Sequence, residues 1–533
     1  MSSNICPIPS LPGGAAAPPF PDTDFSTDNT AGKTTAAEDA KTAHEEDFKA
    51  PKSILIIGSG VFGLSTALSL TRRPQFPTDT EITIIDRSPE DGVFPARDAS
   101  SIDSSRIIRA DYADFAYAAL ASEAQTHWRK DHLSDPSSLG GSGRYTESGL
   151  LLGAEYGYDG ATTRPDGHPT GLGYAKRSWV NALALAHTQG RSMETIRLAP
   201  MPFAVGKMSK TDGEWADWAY LNTGAGWADA EASMQWLYNR VLETKRVKFI
   251  NGTVTQFETT PESDKPQRIS GVKLSDDRIF AADLVILATG AWTPTLLDLE
   301  GRAIATGQCL AYLELTEDEQ EKLKDMPVCL NLTDGCFVIP PRNRILKIAR
   351  HSYGYINPSA PSTTPLESSS DSPSKKINIP QTPISQPLTH LTHPKLQIPQ
   401  EGTTDLRRAL QRFIPWSDLQ TRPFTHTKLC WYTDTPTGDW IVDYHPTYSN
   451  LFICTGGSGH AFKFLPILGE KVVDCLVGHP PEAFVEKWKW KGGRKGEGQE
   501  SDKTLEQILS TEDGSRGGKP GLILREELAK SGQ

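Results

Sequence analysis

Short unbroken apolar runs stand at 53–58 (SILIIG), 81–86 (EITIID) and 283–290 (DLVILATG). Runs of that length, with no alternation, predict strands buried on both faces. Apolar residues recur at helical spacing in 115–130 (FAYAALASEAQTHWRK) and 231–245 (EASMQWLYNRVLETK), which predicts two amphipathic helices. The stretch CFVIPPRNRILKIARH (336–351) predicts two strands about a Pro-Pro-Arg-Asn turn. In TKLCWYTDTPTGDWIVDYHP (427–446), Cys430, Trp431, Tyr432 and Trp440 share a segment with a threonine-rich turn and a run that reads as a strand. Residues 450–470 give a strand, a glycine-rich turn and a helix. Strands alternate with helices early, and strand-rich stretches follow. That order predicts a doubly wound, Rossmann-like α/β domain interleaved with an α+β domain on a mainly antiparallel sheet.

Three segments interrupt the pattern. Residues 1–50 carry few large apolar groups and are expected to be disordered. The Ser/Pro-rich stretch 357–399 reads as a disordered surface insert, and residues 490–533 as a charged, glycine-rich tail with at most one short helix.

Composition narrows the function classes. The 533 residues carry a formal net charge of −11, which argues against a nucleic-acid binder or an anionic-membrane binder. No run approaches the roughly 20 apolar residues of a membrane span. The seven cysteines are odd in number, scattered and without CxxC pairs. A zinc site or disulfide framework is therefore not expected, and a reducing compartment is. No secretory signal or transit peptide is legible, and the chain ends in Ser-Gly-Gln. An intracellular protein, cytoplasmic rather than peroxisomal, is the expectation.

The strongest motif is GxGxxG at Gly58, Gly60 and Gly63, set between a strand and a helix. Gly58 makes the tight turn, Gly60 admits a pyrophosphate to the backbone, and Gly63 lets the helix pack on the sheet. The helix N-terminus offers N–H groups and a positive dipole end to phosphate. The second strand ends at Asp86, 23 residues beyond Gly63, where a carboxylate can accept from a ribose hydroxyl. Arg87 follows it. A dinucleotide site is expected, and the fingerprint alone does not separate FAD from NAD. The ATG turn after 283–287 and the turn within 456–460 favour FAD.

Four blocks then carry a resemblance: GxGxxG with Asp86, SSRIIRADY (104–112), CWYTDTPTGDWIVDYHP (430–446) and GGSGHAFKF (456–464). Weaker blocks are YTESGLLLG (145–153) and ILATGAWTPTLL (286–297). The chain resembles the flavin amine oxidases that include monomeric sarcosine oxidase, pipecolate oxidase, the fungal saccharopine oxidases and the fructosyl amino acid oxidases.

The resemblance implies FAD, covalently held through Cys430. Read from the residues alone, Cys430 is equally a small buried filler. It further implies cofactor contacts from Val61, Phe62, Arg87, Ser105, Arg106 and Val254. A second set comes from Gly457, Gly459, His460, Phe462 and Lys463. Arg109 and Lys463 would clamp a substrate carboxylate, and Arg106 would lie against the flavin. By spacing alone, Arg106 and Arg109 stand three apart and are neighbours if the segment is helical. Lys347 matches the family's oxygen-activating lysine and His351 a pocket histidine. Spaced by four, the two face the same side of a strand, although Lys347 reads equally as a solvated strand residue. Tyr432 shares the face of Cys430. His460 either shapes the helix start or is a satisfied core histidine.

There are departures. Ile102 stands where the bacterial sarcosine oxidases have histidine, and the fructosyl amino acid oxidases lack the Arg-Ile-Ile-Arg pair. The implied layout places the FAD domain in 52–135, 225–300 and 425–482, and the substrate domain in 140–224 and 301–424. The implied reaction is oxidation by O2 of a secondary amine or imino acid bearing a carboxylate, of the sarcosine, pipecolate or saccharopine type. A tailoring oxidase of a larger amine, a fructosyl amino acid oxidase and a flavin-binding scaffold without turnover are the alternatives.

Overall fold

The computed structural model describes residues 48–88, 93–129, 135–157, 160–260, 267–359, 384–491, 511–530 and 532. The expectation for residues 1–50 falls almost wholly outside them. Within Ala50–Gln533, two sheets position everything that follows.

The first sheet has six strands in the order Ile441–Tyr444, Leu451–Thr455, Leu284–Leu287, Ser53–Ile57, Glu81–Asp86 and Val247–Asn251. All neighbours are parallel except the first pair. Ile54 pairs with Ile82 on one side and Leu284 on the other. The three apolar runs therefore form the centre of the sheet, where neither face meets water. Helix Val61–Arg72 follows the first strand, and Leu465–Leu476 packs against it, with Gly469 meeting the backbone of Ser65.

The second sheet has ten strands and is mainly antiparallel. Its spine is the eleven-residue strand Ile304–Glu314, buried at all but its last position. His426–Asp434 runs antiparallel along the whole of one edge of that spine, with Gln308 opposite Cys430 and Thr306 opposite Tyr432. Ile345–Arg350 takes part of the other edge. The hairpin joining Cys336–Arg342 to Ile345–Arg350 turns at Asn343 and Arg344, both at positive φ, as a tight primed turn demands. Helix Gln400–Phe413 closes one face of this sheet with Leu406, Ala409, Leu410 and Phe413. Among the described residues, no helix is long and apolar enough to cross a membrane.

The structure corrects four expectations. The SRIIR segment is not helical: Arg106–Ile108 is a strand paired with Gly226–Ala228, which suits its two β-branched isoleucines. Only part of 357–399 lies outside the described residues (360–383), and its flanks are built into the fold. Pro358–Ser359 pairs with Ile384–Ser385, the Ser385 hydroxyl donates to the Ala305 carbonyl at 2.6 Å, and Ile398 is buried in the core. Strand His426–Asp434, assigned by sequence to the nucleotide half, belongs to the large antiparallel sheet. Lastly, residues 511–530 carry the expected short helix, Leu524–Lys530 with Leu524 buried, yet they are built into the fold, because Leu522–Ile523 pairs with Tyr355–Ile356.

Candidate active site

A cavity runs from the first glycine turn to the turn after Thr455. Gly58, Gly60, Asp86 and Arg87 line one end, and Gly457, Gly459, His460 and Phe462 the other. The local chain explains its shape. Gly58 sits at φ +99°, and a Cβ there would lie 2.5 Å from the Ala288 carbonyl oxygen. A Cβ on Gly63 would lie 1.9 Å from the Gly58 carbonyl oxygen, so only glycine lets the helix start this close to the sheet. A Cβ on Gly60 would meet nothing within 4 Å, so that backbone faces open space at a helix N-terminus. Asp86 is held in place by Ser59, whose backbone N–H donates to it at 2.8 Å and whose hydroxyl donates at 2.5 Å. This cradle fits a dinucleotide, with phosphate on the glycine turn and ribose at Asp86. Val254 lines the same cavity.

A second, smaller cavity of about 60 Å³ adjoins it, room for a few water-sized groups. The two share a wall made of Arg106, Tyr432, Gly459, His460 and Phe462. Gly459 is required there, because a Cβ would lie 2.3 Å from the Tyr432 ring. Ser105, Arg109, Lys347, His351 and Lys463 also line the small cavity, with Ile107, Leu330 and Phe337 as apolar surface. Arg106 and Arg109 both line the small cavity, and of the two only Arg106 also lines the large one.

Arg106 reaches Asp103, the Ser100 carbonyl and, at 3.4 Å, the Cys430 sulfur. Cys430 is buried beside Leu310, Tyr312 and Ala349; it is not itself in the lining of either cavity and touches Ser100 and Arg106, which line the large one. Arg109 stacks over Tyr112, 4.8 Å from the ring centroid. It is buried, and its Nη1 has no hydrogen-bond partner among the described residues. Lys463 stands near it, donating to the Tyr112 hydroxyl at 2.9 Å and to the His460 carbonyl at 3.0 Å. Burial and the Arg109 charge push the Lys463 amine well below its ordinary pKa.

Two features settle the state of His460. Tyr112 meets its Nδ1 at 3.1 Å, and its Nε2 lies 2.8 Å from the Gly438 carbonyl. A carbonyl only accepts, so Nε2 carries the proton, and Nδ1 accepts from the tyrosine. His460 is thus a satisfied, neutral histidine that lines both cavities, with burial and then Lys463 holding its pKa well below normal.

Lys347 is almost fully enclosed. Its ammonium lies 2.5 Å from Asp103 and donates to the Ser105 carbonyl at 2.7 Å. Burial lowers its pKa to about 8, against the opposing pull of Asp103 and with a further lowering from Arg106. Asp103 also accepts from Tyr312 and is held far below the usual carboxylate range by Lys347 and Arg106, which outweigh its burial. Sequence reasoning missed Asp103, although an acid just before an arginine pair is a signal for buried charge pairing. It also missed Arg516, which reaches His351 and Asp434 from the far end of the chain. The run GSRGGKPG around Arg516 held a clue, since glycines flanking a lone arginine permit close backbone passage.

The arrangement can take an anion against Arg109 and Lys463 while a buried cation, Lys347, faces the same small space beside a dinucleotide cradle. The chain is also similar to known proteins. A family model described as FAD dependent oxidoreductase matches residues 53–475. Amino acid oxidase imqH of Aspergillus flavus is 32% identical over 492 residues, covering 83% of this chain and 98% of the relative. L-saccharopine oxidase of Schizosaccharomyces pombe is 30% identical over 449 residues, covering 83% and 93%. Among solved structures, fructosyl peptide oxidase from E. terrenum superposes with a TM-score of 0.70 at 22% identity, covering 90% of this chain and 97% of that one, a likeness of fold. The glycine cradle, the two adjoining cavities and this match over most of the chain lead to one conclusion: the chain belongs to the FAD-dependent oxidoreductases of the DAO family.

Proposed function

We propose that this protein oxidises a secondary amine or imino acid bearing a carboxylate, with O2 as the electron acceptor. One observation carries the reading: the buried Arg109, whose Nη1 has no hydrogen-bond partner among the described residues, and Lys463 face a small cavity that shares a wall with the cofactor cradle. The six-stranded sheet and its helices form the cofactor half, and the ten-stranded sheet the substrate half. FAD, when bound, supplies a ring that takes the hydride equivalent from the carbon next to nitrogen.

The chain supplies the rest. Arg109 offers two parallel N–H groups to the carboxylate, and Lys463 adds a third donor. A carboxylate placed against Lys463 favours the protonated amine, because it offsets part of the burial penalty that lowers its pKa. The cation-rich walls disfavour an ammonium, so the substrate amine sits there unprotonated. Lys347 places a positive charge where oxygen gains electrons, and Arg106 holds the Cys430 end of the site. The carbon loses its hydrogen and two electrons, the nitrogen loses its proton, and O2 leaves as H2O2. Water then hydrolyses the imine. The relatives named amino acid oxidase and L-saccharopine oxidase support this substrate class.

The test is anaerobic bleaching of the flavin by sarcosine, L-pipecolate, L-saccharopine, L-proline, N-methyl aromatic amino acids and a fructosyl amino acid. Rapid bleaching by a carboxylate-bearing secondary amine is expected. Bleaching by none of them, with the flavin bound, would overturn the reading.

We also place the covalent link to FAD at Cys430, on the strength of its position beside Arg106 and at the head of the Cys-Trp-Tyr-Thr block. In the unchanged protein the yellow colour should stay with the chain after acid denaturation. In Cys430→Ala it should be released to the supernatant, and retention there would move the link elsewhere.

A further inference from the structure

Residues 511–518 pack behind the small cavity, where Arg516 meets His351 and Tyr432 of its lining. Thr511 donates to the Thr435 carbonyl at 3.1 Å, the Glu512 N–H to the Pro436 carbonyl at 2.9 Å, and the Tyr353 N–H to the Gly517 carbonyl at 3.3 Å. A Cβ on Gly517 would lie 2.1 Å from the Gly335 nitrogen, so this passage has no room to spare. The segment delivers one side chain inward. Arg516 is 1% exposed at its side chain. Its Nη2 donates to Asp434 at 2.5 Å and to the Ser458 carbonyl at 2.9 Å, and its guanidinium lies 5.4 Å from the Tyr432 ring centroid. Its Nη1 lies 2.8 Å from His351 Nδ1 and 3.2 Å from Nε2.

A guanidinium only donates, so the ring nitrogen that meets Arg516 is bare and the imidazole is uncharged. On its other sides His351 faces Arg109, Lys463 and neutral His460, with Tyr432 at 5.8 Å between ring centroids. Asp434 faces Arg516, the Thr306 hydroxyl at 2.6 Å and the more distant Asp513. Arg516 thus stands between the imidazole and a buried carboxylate, and keeps the two from forming a charged pair of their own.

Resting on the amine-oxidase reading above, we infer that Arg516 is a positioning residue for the oxidation. It holds His351 neutral against the substrate cavity and keeps Asp434 engaged away from it. An imidazolium at His351 would offer the carboxylate a cation on a different wall from Arg109 and Lys463, and so bind the substrate misplaced. Burial, then the charges of Arg516 and Arg109, hold His351 well below its ordinary pKa, which favours the uncharged ring that the Arg516 contact requires. Without Arg516 that hold weakens, and Asp434 becomes a counter-ion for the imidazolium.

The test compares the full-length holoprotein with Arg516→Met, Arg516→Lys, His351→Gln and the double variant Arg516→Met/His351→Gln. Two readouts are followed against pH: kcat/KM for whichever amine bleaches the flavin, and the change in visible flavin absorption on adding benzoate as a carboxylate probe. In Arg516→Met the acid limb of both should move to higher pH by about one unit or more, as a histidine returns toward its ordinary pKa of about 6.5. The double variant should lose that shift, because the titrating group is gone. Arg516→Lys keeps a cation beside Asp434 and should move less than Arg516→Met, which keeps the question open to test if the methionine variant does not fold.

An unshifted acid limb in Arg516→Met, or a shift that survives in the double variant, would overturn the inference. So would an equal shift in Arg516→Lys and Arg516→Met. The benzoate readout stands even if no amine in the panel is oxidised, so failure of the substrate reading and failure of the Arg516 role are told apart.

Discussion

Lys347→Met is expected to slow the oxygen-dependent half of turnover by about 10²–10³-fold, the usual loss when one group that stabilises developing charge is removed. Anaerobic bleaching by substrate should change only a few-fold, since the carboxylate-binding wall of Arg109 and Lys463 does not include Lys347. Methionine fills nearly the same volume, and Asp103 keeps Arg106 and the Tyr312 hydroxyl as partners, so the fold should survive. Stopped-flow mixing of the bleached protein with oxygen separates the two halves. Equal slowing of both would remove Lys347 from the oxygen step. The pH dependence has a definite sign. Burial lowers this lysine to about 8, so the cation is present below that pH and lost above it. The oxygen-dependent rate should therefore fall as pH rises through about 8, and that fall should be absent in Lys347→Met.

Arg109→Met should lower kcat/KM for a carboxylate-bearing amine by about 10²–10³-fold, the scale of losing one partner of a buried, hydrogen-bonded charge pair. The reason lies in what surrounds it. Arg109 is buried against Tyr112, with its Nη1 unpartnered among the described residues, and a buried donor without a partner is a standing cost that an anion relieves. Steady-state kinetics with the best amine of the panel, run beside the same amine as its methyl ester, make the check. The ester should lose little between the unchanged protein and the variant. A uniform loss on acid and ester would mean that Arg109 does not read the carboxylate. Lys463 adds a second sign to look for. Its amine is held well below its ordinary pKa in the empty site, so carboxylate binding should take up a proton and weaken as pH rises.

The nucleotide cradle was legible in the chain because its demands are local. A strand, three glycines, a helix and a terminal acid must stand at set spacings, and no distant residue alters that. The small cavity was legible only in part. Lys347 and His351 follow from strand alternation once the strand is granted, and the structure brings both to one space. The conformation of the arginine pair stayed open in the sequence: spacing by three suits a helix, whereas pairing with Gly226–Ala228, more than a hundred residues away, draws the segment out. Residues 384–399 look like linker in composition. They are ordered by contacts that composition cannot display, such as the Trp431 indole N–H donating to the Leu388 carbonyl at 2.8 Å. Arg516 lies farthest from sequence reasoning. It acts 82 residues from Asp434 and 165 from His351, and no periodicity connects such positions.

The pairing of Pro358–Ser359 with Ile384–Ser385 has a bearing on how this chain can be altered. The two ends of the intervening stretch leave the fold side by side, so its length is decoupled from the spacing of everything around the cavities. Closing a longer stretch between fixed ends costs only about 0.6 kcal/mol per doubling. Adding a single residue within His426–Asp434, by contrast, would send Cys430, Tyr432 and Asp434 to the opposite face and bring Trp431 into their place. One chain thus holds a position suited to grafting a reporter or a second domain, and, 42 residues beyond Ile384 in sequence, a strand that tolerates no change of length at all.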